Sequence, residues 1–130
     1  DSFWLVGQPD IELNKVDDSL WQIHVLGFDY YNTATGALDS GGADKIAMWM
    51  LDTDYDGRSL YPKQVFFPFF NEKIGWKKFA KNLKAEVDQE KIKTYSGTIS
   101  SPFSPGQYNR IAVKIIDDRG IESLKIINIS

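Results

Sequence analysis

The pattern most suggestive of chemistry is Asp52-Thr53-Asp54-Tyr55-Asp56-Gly57. Alternating carboxylates closed by a glycine open many calcium loops, because a hard cation takes six or more oxygen ligands and glycine permits the sharp turn. In an EF-hand, a bidentate Glu closes the set; here that position holds Lys63, and the residues after it are strand-like rather than helical. An EF-hand is therefore excluded. Two readings stay open: a looser calcium site at the tip of a β-domain, using Asp52, Asp54 and Asp56, and a solvated turn. The turn is the simpler one, since Asp and Gly are the residues a tight connection needs.

Other constellations are weaker. Asp117-Asp118-Arg119-Gly120 has the composition of a hairpin turn and would join a calcium site only if both acidic turns met at one end of the domain. His24 is the single histidine, and it sits mid-strand without the carboxylate or second ligand that a general base or metal site recruits. We read it as structural or surface. No serine lies in a G-x-S-x-G elbow, and neither a phosphate loop nor a dinucleotide fingerprint occurs. With no cysteine there is no disulfide, thiolate metal site or cysteine nucleophile, which fits a reducing cytoplasm. Lys73, Lys77, Lys78, Lys81 and Lys84 could meet DNA phosphates, which accept such contacts regardless of sequence. The plainer reading is a solvated helix face, balanced by Glu72, Glu86 and Glu90.

The elements that would position these residues are mostly strands. Ile46, Met48 and Met50 alternate with Ala47, Trp49 and Leu51, and Leu60–Phe67 is rich in aromatic and β-branched residues. Both runs can bury two faces, which places them mid-sheet on either side of the acidic turn. Upstream, Phe3–Val6 and Asp10–Asn14 read as short strands around Gly7-Gln8-Pro9. Leu20–Tyr31 reads as a long strand with Trp21, Ile23 and Val25 on one face and Gln22, His24 and Phe28 on the other. Asn32–Gly36 reads as a hairpin turn and Ser40-Gly41-Gly42 as a loose loop. Asn71 can cap a helix in which Trp76, Phe79, Ala80, Leu83 and Val87 form one apolar face. Gly97–Ser101 reads as a strand, and Arg110–Ile116 with Ile121–Ile129 as a closing hairpin. Tyr108, just before that hairpin, is placed like the tyrosine corner of immunoglobulin-like sandwiches.

These elements predict a mainly β domain: an immunoglobulin-like β-sandwich with one inserted amphipathic helix. The alternative is an α+β arrangement, a curved antiparallel sheet with the helix packed on it. The length of 130 residues suits a single domain spanning 1–130, and 42% hydrophobic residues suffice for a core without disulfide or metal. A net charge of −3 argues against a wholly basic nucleic-acid binder but allows a local basic patch. No apolar run approaches the roughly 20 residues that span a bilayer, so no membrane partner is expected. The abrupt opening on Asp1-Ser2-Phe3-Trp4, without a signal-like segment, suggests a fragment of a longer protein.

One resemblance adds to this reading. The stretch AMWMLDTDYDGRSLYPKQVFFP (Ala47 to Pro68) resembles the C-terminal region of site-specific adenine DNA methyltransferases, the modification subunits of type III restriction-modification systems. GFDYYNTATG (Gly27 to Gly36), KNLKAEVD (Lys81 to Asp88) and RIAVKIIDDRGIESLKI (Arg110 to Ile126) support it, so the likeness covers most of the chain from Leu20 onward. That family transfers a methyl group from S-adenosylmethionine to adenine N6, using an Asp-Pro-Pro-Tyr-type motif and a Gly-rich cofactor motif. Neither motif occurs here, and none of the family's catalytic or cofactor residues maps onto this chain. The resemblance therefore implies a non-catalytic, cytoplasmic accessory domain that binds no cofactor itself, with S-adenosylmethionine bound elsewhere in the parent protein. Its partners would be the rest of the subunit, a restriction subunit and DNA. A different class, an adhesion or carbohydrate-binding module with calcium at Asp52, Asp54 and Asp56, is the alternative function.

Overall fold

The computed structural model describes residues 5–32, 35–68, 93–95 and 97–129. Among the described residues, eight strands form two sheets, one with the order β1-β2-β3 and the other with the order β6-β5-β4-β7-β8. The strands are β1 (Leu5–Lys15), β2 (Trp21–Asn32), β3 (Leu38–Gly42), β4 (Ile46–Asp52), β5 (Gln64–Phe66), β6 (Lys93–Tyr95), β7 (Arg110–Asp117) and β8 (Glu122–Asn128). All neighbours are antiparallel except β5 and β6, which run parallel.

The sheets stack as a β-sandwich, with side chains of both in one core. Ile23, Val25, Phe28 and Tyr30 from β2 meet Trp49, Leu51, Phe66, Ile111, Val113 and Ile115 from the opposite sheet. Trp49 and Phe66 stack with ring centroids 3.8 Å apart and planes 5° from parallel, and the Trp49 indole N–H donates to the Gly97 carbonyl. A buried indole with a satisfied donor combines a large apolar area with no stranded polar atom. Along one side, β1 packs against β8, the edge strands of the two sheets.

The mid-sheet placement of the central run holds: all seven residues of β4 are buried. Trp49 and Leu51 face the other sheet, while Met48 and Met50 join Ala47, Val65, Phe67 and Ile116 in a second apolar layer. The strand after the acidic turn is shorter than Leu60–Phe67, because only Gln64–Phe66 pairs with β4.

Several expectations change. Phe3–Val6 and Asp10–Asn14 are not two strands around a turn: Leu5–Lys15 is continuous. Pro9 is compatible because β1 lies at a sheet edge, where a missing N–H costs no ladder bond. Phe28 is not on the face opposite Ile23 and Val25. Asp10 pairs with Gly27 and Ile11 with Val25, leaving Leu26 as an extra residue. This bulge shifts the alternation by one and brings Phe28 and Tyr30 into the core. Ser40-Gly41-Gly42 is strand β3 rather than a loop. Gly41 lies opposite Phe28, and a Cβ there would stand 2.3 Å from the Phe28 ring, so the glycine makes room for the aromatic. Gly97–Ser101 is not a full strand; isolated bridges tie Ile99 to His24 and Phe103 to Trp21.

The helix expected from Asn71 onward, with Lys73, Lys77, Lys78, Lys81 and Lys84, lies outside the described residues. Among the described residues, no helix is long and apolar enough to cross a membrane.

Candidate functional site

The acidic turn leaves β4 at Asp52 and returns to β5 at Gln64. Asp52 is fully buried, and both of its oxygens are engaged. Its Oδ1 accepts the Asp54 N–H at 2.9 Å, and its Oδ2 accepts the Tyr61 N–H at 2.8 Å, closing the loop on itself. Burial pushes the Asp52 carboxyl above its ordinary pKa, against the pull of those two N–H donors. Asp54 reaches across to a different loop, where its Oδ1 accepts the Tyr108 N–H at 2.9 Å. A Cβ on Gly106 would fall 2.3 Å from the Asp54 carboxyl carbon, so this approach depends on glycine. Asp56 Oδ1 accepts the N–H groups of Arg58 and Ser59, which together hold its pKa below the usual carboxylate range.

Arg110, at the start of β7, completes the knot from outside. Its Nε donates to the Tyr55 carbonyl and its Nη2 to the Asp56 carbonyl, while its own carbonyl accepts the Tyr55 N–H. Gly57 has φ 91°, and a Cβ there would approach the Arg110 guanidinium at 3.1 Å. The D-x-D-x-D-G spacing thus serves the fold. Each carboxylate caps backbone N–H groups of a separate stretch. Among the described residues, no three or more His, Asp or Glu side chains are grouped to hold a metal ion.

The second acidic turn is at the other end of the sheet. Asp52 pairs with Ala112, and Asp117 pairs with Ile46, so the turns are five residues apart along β7, about 17 Å at strand rise. Asp117 is buried and accepts the N–H groups of Arg119 and Ile121 through Oδ1, and the Arg119 Nε through Oδ2. The Tyr30 hydroxyl donates to the Ile121 carbonyl at 3.3 Å. Burial first, and then the negative charge of Asp117, push the Tyr30 pKa up to about 12.

The remaining candidates separate in space. His24 is half-buried, with Nδ1 3.5 Å from the Glu12 carboxylate across the β1–β2 pair. Tyr108 does not form a tyrosine corner: it is 45% exposed, and its ring lies beside the Arg110 guanidinium.

A feature the sequence reading did not single out lies beside the acidic loop. An open cleft of about 330 Å³ is lined by Tyr55, Arg58, Leu60, Lys114, Glu122, Ser123 and Leu124. Lys114 and Glu122 are paired at 2.8 Å, whereas the Arg58 guanidinium makes neither a hydrogen bond nor an ion pair with the described residues. Arg58 was visible in the sequence only as a turn residue, and nothing local linked it to β8. No protein-family model, curated protein or solved structure matches the chain.

Proposed function

We propose that this chain is a non-catalytic accessory domain of a cytoplasmic DNA adenine-N6 methyltransferase, the modification subunit of a type III restriction-modification system. Its role is subunit assembly, supplemented by DNA backbone contacts through Lys73, Lys77, Lys78, Lys81 and Lys84. S-adenosylmethionine would bind elsewhere in the parent polypeptide, and the partners would be the rest of that subunit and a restriction subunit.

The observation that carries this reading is the use made of the acidic loop. The segment with the strongest family likeness spends its carboxylates on holding backbone, as a rigid supporting module requires. Apolar side chains are meanwhile left on the surface of the edge strand, where Leu124 and Ile126 are 45% and 49% exposed. Contiguous apolar surface of this kind suits contact with another polypeptide.

The test is Leu124→Asp with Ile126→Asp in the intact modification subunit. Sedimentation velocity should show loss of association with the restriction subunit, while the unfolding midpoint of the variant stays close to that of the parent. Unchanged association would remove the assembly role.

A further inference from the structure

We infer that the cleft beside Arg58 and the outer face of β8 together form a docking surface for an extended, acidic–aliphatic segment of a partner polypeptide. This rests on the assembly reading and names the chemistry of the contact. Three observations converge on it. The first is charge. Within the cleft, Lys114 is matched by Glu122 at 2.8 Å, whereas the Arg58 guanidinium makes no hydrogen bond or ion pair with the described residues and interacts with the Asp56 carboxylate only through its charge. Its planar fork is suited to a carboxylate approaching with two oxygens. An Asp or Glu of the partner is therefore the complementary group.

The second observation is rigidity. Arg58 projects from a loop pinned by Asp56, whose Oδ1 holds the Arg58 and Ser59 N–H groups, and by Asp52, which holds Tyr61. A cation presented from a fixed backbone loses less freedom on binding, and arginines so placed are common binding hot spots.

The third is continuity. Leu60 and Leu124 line the cleft, and Ile126 follows Leu124 on the same side of β8 because side chains repeat every second residue. The surface thus runs from a guanidinium to a strip of aliphatic side chains. An extended segment with its carboxylate a short distance from aliphatic residues covers both at once. A small molecule fits less well, since the cleft is open rather than enclosing and drug-sized ligands are typically buried over most of their surface.

The test uses capped Leu-Glu-Leu peptide added at about 5 mM, enough to detect a millimolar Kd, to the isotope-labelled chain while amide resonances are followed. The peptide should shift the amides of Arg58–Leu60 and Glu122–Ile126. Arg58→Gln, or replacement of the peptide's Glu by Gln, should weaken binding about five-fold, as removal of a modest hot spot does. Absence of shifts at those amides, or equal binding of the Gln peptide, would overturn the proposal. So would shifts of the same size from acetate alone, which would mark a small-anion site instead. If the peptide fails while Leu124→Asp with Ile126→Asp still breaks subunit association, this docking chemistry falls and the assembly role stands.

Discussion

Replacing Asp52 by Ala should release the anchor of the acidic loop. The wild-type carboxylate is fully buried and accepts N–H groups from Asp54 at 2.9 Å and Tyr61 at 2.8 Å. Hydrogen bonds to a charged acceptor contribute about 1.5–3 kcal/mol each, and alanine strands both donors. Part of that deficit is offset, because burying the carboxylate is itself unfavourable, as its raised pKa records. The balance is a destabilisation of about 3 kcal/mol. For a domain of this size, each 1 kcal/mol moves Tm by about 4 °C, so the variant should melt about 12 °C lower. Circular dichroism melts of the two proteins, run with calcium and with chelator, measure this directly. A Tm within about 2 °C of wild type would refute the clamp, since 3 kcal/mol cannot hide in so small a change. A calcium-dependent rise in the wild-type Tm would favour the calcium reading, because a ligand that binds only the folded state must stabilise it.

Gly106→Ala should cost about 1–3 kcal/mol in urea unfolding, as overpacking does, because the new methyl would displace the Asp54 carboxyl from the Tyr108 N–H. Tyr30 should make the fold sensitive to alkali. Its folded pKa of about 12 exceeds the ordinary 10.0, so its contribution is whole below pH 10.0 and is lost as pH rises towards about 12. Urea midpoints across that range should fall less steeply in Tyr30→Phe, and parallel slopes would contradict the assignment. On the proposed function, Lys77→Glu with Lys81→Glu in the intact parent protein should weaken DNA binding and lower the salt slope by about 2, one for each phosphate no longer neutralised. Unchanged binding across salt would remove the DNA role and leave the assembly role.

How far the sequence revealed the molecule depended on whether the signal was local. Alternating apolar residues on both faces located Ile46–Asp52 as a central strand, and the turn at Asp118-Arg119-Gly120 marked the hairpin of β7 and β8. The bulge at Leu26 exists only relative to β1, so strict alternation along Leu20–Tyr31 puts Phe28 on the wrong face. Strand β3 was missed because Ser40, Gly41 and Gly42 offer no apolar alternation; it forms where β2 provides a partner and the Phe28 ring fills the space above Gly41.

The acidic loop shows the same limit at the level of function. Its spacing is that of a cation site, yet the groups that occupy its oxygens include Tyr61 and Tyr108, and Tyr108 is 54 residues from Asp54. A motif names potential ligands but cannot show which donors the fold has already brought to them. The Arg58 cleft was likewise invisible, because its walls come from the loop after β4 and from strands β7 and β8.

The idea that this chain supplies surface and leaves bond-making to the parent polypeptide is tested most directly by methyl transfer. Labelled S-adenosylmethionine and duplex DNA would be given side by side to the intact parent protein, proposed to be a modification subunit, and to residues 1–130 alone, the latter verified as folded by circular dichroism. Label should enter adenine N6 only with the intact subunit. Incorporation by the isolated chain, or an intact polypeptide that methylates no DNA, would contradict the account.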